Sequence, residues 1–169
     1  MDNYTEQILP IKPTYKDFAL FSGSITLAVI GLAFMLFMNI GIGFLLVIFG
    51  CVATYFTKKG LDYEYEYLFT NGDLEVAKIV AKSSRKNVCE VGEEDIQRIL
   101  QYNSDKFQNE LDINTKMSVR DYTTKVSDNS ENWYAFISTG KNKDTAVILE
   151  LNDKNREYIK RIFKNKIEK

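Results

Sequence analysis

Histidine is absent from this chain. Without it there is no base for a Ser-His or Cys-His nucleophile pair and no imidazole for the common zinc sites. Cysteine is scarce: Cys51 and Cys89 cannot form a CxxC knuckle, and geometry and compartment disfavour a disulfide between them. Neither sign of charge prevails, because 22 Lys and Arg stand against 23 Asp and Glu, a net charge of -1 over 169 residues. The basic excess of a dedicated nucleic-acid binder is therefore missing. No P-loop or dinucleotide fingerprint occurs, and Gly41 and Gly43 lie in apolar sequence. These absences predict a chain that is not an enzyme, holds no cofactor or metal, and has no nucleic-acid partner.

The most telling scarcity is local. From Phe18 through Thr57, forty residues carry no Asp, Glu, Lys or Arg, while residues 58–169 hold 20 basic and 20 acidic groups. A mean hydropathy of -0.23 averages these two regions away. The chain divides into a short N-terminal segment (1–16), an apolar module (17–57) and a polar domain (58–169).

A bilayer core of about 30 Å takes roughly 20 helical residues, so the apolar module supplies that length twice. A transmembrane helical hairpin is predicted, with helices over about 17–38 and 42–57 and a turn at Met38–Gly43, where Asn39 is the strongest polar interruption. Lys12 and Lys16 precede the hairpin, Lys58 and Lys59 follow it, and its turn is uncharged. The positive-inside rule then places both termini in the cytoplasm and makes this a multi-pass protein of the plasma membrane. A secretory signal peptide is not expected, since Asp2, Glu6 and Asp17 offset the two early lysines and the apolar run is too long. Ser24 and Ala28 on one span, and Gly50 and Thr54 on the other, are small residues four apart that allow close helix approach. Neither span carries a charge for a proton relay or ion pathway.

In the polar domain the hydrophobic period is mostly two. Tyr63, Tyr65, Tyr67 and Phe69 alternate with Glu64, Glu66 and Leu68, a half-buried strand whose aromatic stripe is expected in the core. Asn71-Gly72 follows, the preferred pair for a tight hairpin. Further strands are predicted at 74–81, 86–91, 96–102, 117–126, 132–139 and 145–151, with a polar stretch at 103–116 and a turn at 140–144. The chain closes on a helix capped by Asn152 or Asp153, with an apolar stripe of Tyr158, Ile159, Ile162, Phe163 and Ile167. The expected fold class is thus α+β: the N-terminal hairpin, then an antiparallel barrel or sandwich of about seven strands with a C-terminal capping helix.

Two runs carry a resemblance. Tyr65-Glu66-Tyr67-Leu68-Phe69-Thr70-Asn71-Gly72-Asp73-Leu74-Glu75-Val76, and later Val88-Cys89-Glu90-Val91-Gly92-Glu93-Glu94-Asp95-Ile96-Gln97-Arg98-Ile99, resemble the opening of bacterial pleckstrin-homology-like (PH-like) domains. Those read as an aromatic strand, an Asn-Gly turn and a later Asp-Ile step into the next strand. With the acidic opening from Met1 to Ile8, the whole chain resembles a family of small two-span membrane proteins of Gram-positive bacteria. The resemblance implies a PH-like fold. It implies no site residues, because that family has no established catalytic or ligand-binding positions.

Glu93, Glu94 and Asp95 are adjacent, so their carboxylates diverge, and they read as favourable charges near a helix start. Cys89 reads as a buried small hydrophobe. On the terminal helix, Arg156, Lys160, Arg161 and Lys164 share the face opposite the apolar stripe, interleaved with Asp153, Glu157 and Glu168. A solvated, salt-bridged face is the first reading and a lipid-facing patch the second. The expected function is a non-enzymatic, membrane-anchored binding or scaffolding protein whose cytoplasmic domain meets a protein partner or itself at the bilayer. Strand edges and the groove beside the last helix are its natural contact surfaces. The alternatives are a sensor of anionic lipid head groups and an accessory subunit of a transport or secretion complex.

Overall fold

The structure is a computed structural model, and it describes residues 3–139 and 144–168. Met1, Asp2, Lys169 and positions 140–143 of the predicted turn lie outside the described residues. The chain forms two compact units. One draws on the residues up to Pro10, on Glu64–Lys78 and on those from Arg85 onward; the other comprises Ile11–Tyr63 and Ile79–Ser84.

The second unit contains the hairpin. Helix α1 (Tyr15–Phe37) starts where the Asp17 carboxylate accepts from the Thr14 N–H at 2.7 Å. Helix α2 (Ile40–Leu61) starts at Asn39, whose side chain accepts from the Ile42 N–H at 3.1 Å. The predicted interruption therefore works as a helix cap, and only Met38 and Asn39 lie between the helices. The second helix has 22 residues and begins two before and ends four after its predicted bounds. Lys58 and Lys59 belong to its last turn, where cations are favoured by the helix dipole, and are not a tail beyond it.

The helices meet backbone to backbone. A Cβ on Gly43 would lie 2.4 Å from the Met35 nitrogen, and one on Gly50 would lie 2.6 Å from the Ala28 nitrogen. Further along, Thr54 Oγ1 is 3.0 Å from Ser24 Oγ. The outer faces expose Phe18, Leu32, Phe44, Phe49 and Phe56. Both helices are long and apolar enough to cross a membrane; at 1.5 Å per residue each spans about 33–35 Å.

The first unit is built on two sheets. Strands β1 (Tyr4–Ile11), β2 (Tyr63–Thr70), β3 (Asp73–Val80) and β4 (Ser84–Val91) form one in that order. Strands β5 (Ile96–Gln101), β6 (Ser118–Asp121), β7 (Trp133–Ser138), β8 (Thr145–Glu150) and β9 (Ile167–Glu168) form the other, in the order β6-β8-β7-β5-β9. Helices α3 (Asp105–Ile113) and α4 (Asp153–Ile162) complete it. The sheets do not close, so the architecture is sandwich-like and not a barrel.

Four differences from the expected pattern have physical causes. Residues 4–11 are a strand, not part of a separate N-terminal segment. Their buried positions are the polar Thr5 and Gln7, while Tyr4 and Ile8 are about half exposed, so alternation of hydrophobicity runs backwards there. The polar stretch contains α3, capped by Ser104 and anchored by the buried Phe107. Strand β6 covers only four residues and runs parallel to β8. Helix α4 ends at Ile162, with the Phe163 N–H donating to the Ile159 carbonyl, so Ile167 leaves the helical stripe and enters β9.

The main core joins both sheets and α4: Tyr67, Phe69, Leu74 and Val76 meet Ile99, Phe136, Val147 and Leu149, with Tyr158, Ile159 and Phe163 from the helix. Cys89 belongs to this core, and burial pushes its thiol above the usual thiol range. A second core, under α3, takes the other face of the second sheet through Leu100, Phe107, Trp133, Ile137 and Ile148.

Candidate functional site

The position of α4 is set by a buried polar network. Asn155 is fully buried; its side chain accepts from Thr5 Oγ1 at 2.7 Å and donates to Gln7 Oε1 at 3.0 Å. Gln7 also accepts from the Asn152 N–H at 3.0 Å and donates to the Glu150 carbonyl at 2.8 Å. Asn152 in turn caps the helix, accepting from the Asn155 N–H at 2.9 Å. Strand β1 and the start of α4 are thereby locked together. The Tyr158 hydroxyl accepts from the Gly72 N–H at 3.1 Å and donates to the Asn3 carbonyl at 3.2 Å, which ties the helix to the β2–β3 turn. Burial is the main cause of the raised pKa of that phenol.

At its other end, α4 borders a groove. The chain turns back at Lys164–Lys166, the Ile99 N–H donates to the Lys166 carbonyl at 2.8 Å, and Ile167 pairs with Ile99. Between helix and strand lies a groove of about 610 Å³ lined by Gln101, Tyr134, Ile159, Lys160, Lys164, Ile167 and Glu168. Tyr134 and Ile167 give it apolar surface, over the fully buried Ile159. Lys160 and Lys164 are exposed beside it, and Glu168 accepts from Lys106 Nζ at 3.5 Å.

The four cations expected on one face are divided. Lys160 and Lys164 line this groove, although Lys164 lies beyond the helix. Arg156 pairs with Asp153, and that bond raises its pKa. Arg161 donates to Asn3 Oδ1 at 3.3 Å, stacks on Tyr158 and lines a different cleft with Tyr4, Lys154 and Glu157. A groove beside the last helix was expected, but its wall was not: Ile167 keeps helical spacing and no Gly or Pro marks the end of α4, so the strand formed by Ile167 and Glu168 was read as helix. Lys12 lies between β1 and α1, Lys16 in the first turn of α1, and Lys58 and Lys59 in the last turn of α2. The last three share the end of the hairpin away from Asn39. Glu93 packs over Gly72, with its N–H donating to Asp73 Oδ1 at 2.8 Å. Among the described residues, no group of three His, Cys, Asp or Glu is arranged to hold a metal ion.

Two sheets around one core, with a C-terminal helix packed into it, define a PH-like domain; here two long apolar helices are inserted between its first and second strands. The chain belongs to the family described as Bacterial PH-like domain (DUF6106), whose model matches residues 1–169. PH-like domains are generally non-enzymatic binding modules. No curated protein and no solved structure matches the chain.

Proposed function

We propose that this protein is a non-enzymatic, membrane-anchored adaptor: α1 and α2 cross the plasma membrane, both termini are cytoplasmic, and the PH-like domain binds a protein partner through the groove beside α4. The observation that carries this reading is the groove itself, apolar along Ile167 and Tyr134 and edged by Lys160 and Lys164. The family supports a binding role, and the exposed apolar faces of the hairpin support the anchor. A lipid-facing patch on α4 is less well supported, because Arg156 and Arg161 are engaged within the domain.

The test is crosslinking in intact cells, purification in mild detergent, and mass spectrometry of what co-purifies. A recurrent protein partner is expected with the natural chain and lost from Lys160→Glu/Lys164→Glu and from Ile167→Asp. Recovery of the protein alone, or only as self-associated copies, overturns the adaptor reading. Release from membranes by alkaline carbonate overturns the anchor.

A further inference from the structure

We propose that the cleft at the charged end of the hairpin holds the phosphate head group of an anionic phospholipid; this rests on the reading that α1 and α2 cross the membrane. The cleft has a volume of about 490 Å³ and lies wholly within the hairpin unit. Phe21, Tyr55 and Leu61 make its surface largely apolar, Lys58 and Lys59 bring two cations to it, and Ala81 and the carboxylate-bearing Asp62 complete the lining, so the cations outnumber the one acidic group. That division matches a phospholipid where acyl chain meets phosphate.

The cations are not consumed within the unit. Among the described residues, no carboxylate comes within ion-pair distance of Lys58 or Lys59. Lys59 Nζ instead lies 4.5 Å from the centroid of the Tyr55 ring, a cation–π contact that leaves its donors available. Basic pockets between membrane helices at the cytoplasmic side are suited to anionic head groups.

The wall at Ala81 belongs to the tight turn between β3 and β4. Ala81 and Lys82 have φ of 49° and 53°, the left-handed conformation that the β2–β3 turn gives to Asn71 and Gly72. Two successive non-glycine residues are held there by the Ala81 N–H donating to the Asp62 carbonyl at 2.8 Å and the Ser83 N–H donating to the Val80 carbonyl at 3.2 Å. An Asn-Gly pair would relieve this strain. The turn sets Ala81 against the cleft and places the exposed Lys82 next to it in the chain, a third cation near the site.

The experiment uses the full chain in mild non-ionic detergent. Phosphatidylglycerol and phosphatidylcholine are added in parallel and bound lipid is read by native mass spectrometry. Phosphatidylglycerol is expected to be retained preferentially, with affinity about thirtyfold lower in Lys58→Gln/Lys59→Gln, from two lysines near an anionic surface. Lys58→Arg/Lys59→Arg is expected to retain it, and so is Lys160→Gln/Lys164→Gln. Equal retention of both lipids, or retention unaffected by the Lys58→Gln/Lys59→Gln change, overturns the proposal. Soluble glycerol 1-phosphate binding as tightly as the lipid overturns the lipid assignment, because the apolar side then plays no part. Failure of the anchor would appear separately, as release of the natural chain from membranes by carbonate.

Discussion

Replacing Asn155 by alanine tests how the domain is held together. Asn155 is 0% exposed, and its side chain joins Thr5 to Gln7. Gln7 Oε1 keeps the Asn152 N–H and Gln7 Nε2 keeps the Glu150 carbonyl, so the main orphan is the Thr5 hydroxyl, itself 1% exposed. An unsatisfied buried hydroxyl costs about 1–3 kcal/mol, and the lost contacts and small void add about 1 kcal/mol. The total is about 2–4 kcal/mol, a fall of roughly 10 °C in Tm for a domain of this size. Asn155→Asp is expected to be worse, because it puts a carboxylate against Gln7 Oε1 without a donor. The assay is thermal unfolding of the full chain in detergent by near-UV circular dichroism, with hydrogen exchange of residues 4–11. In a double-mutant cycle, Thr5→Val is expected to cost about 1 kcal/mol less in the Asn155→Ala background than alone. An unchanged midpoint together with unchanged protection of β1 would refute the network as the tie between β1 and α4.

Two further expectations concern the hairpin and the core. Gly43→Leu places a side chain where a Cβ already meets the Met35 backbone at 2.4 Å, so the helices must part. A disulfide between Ser24→Cys and Thr54→Cys, in a Cys51→Ser background, is expected to form readily with Gly43 and slowly with Leu; equal rates would exclude the close packing. Burial raises the Cys89 pKa, so stability owed to its neutral thiol is complete below the unfolded value near ~8.5 and declines as pH rises through the higher folded one. Cys89 is expected to alkylate far more slowly than a free thiol at neutral pH, and Cys89→Ala to lessen the loss of stability at alkaline pH; fast alkylation of the folded domain would contradict its burial.

How far the fold can be read from sequence depends on which faces its residues bury. Strands β2 and β3 were legible because Tyr67, Phe69, Leu74 and Val76 put apolar groups on one face and the Asn71-Gly72 turn joins them. Strand β1 was not, since its inward residues are Thr5 and Gln7 and their partners lie about 150 positions away, at 150, 152 and 155. Helix α3 was hidden by polar composition, yet a signal existed: Ala146-Val147-Ile148-Leu149 does not alternate, which marks a strand covered on both faces. Something had to cover the second face, and Phe107 of α3 does. The groove depends on Ile167 leaving the helix, a tertiary choice that local spacing does not reveal.

The pairing of β1 with β2 also constrains the topology, independently of the lysines. These strands are neighbours in one sheet, yet α1 and α2 lie between them in the chain. Strands on opposite sides of a bilayer cannot hydrogen-bond, so helices inserted between them must cross an even number of times. The lysine argument rests on loop charge alone. Converting Lys12, Lys16, Lys58 and Lys59 to glutamate separates the two. Charge alone would allow the two ends of the hairpin to respond independently; the sheet requires them to stay together. The expected outcome is that reporters at the N-terminus and in the C-terminal domain always report the same side, whether the charge-reversed protein keeps its orientation, inverts or fails to insert. A folded domain with its two reporters on opposite sides would show that β1 is dispensable to the sheet and would remove this argument for a hairpin.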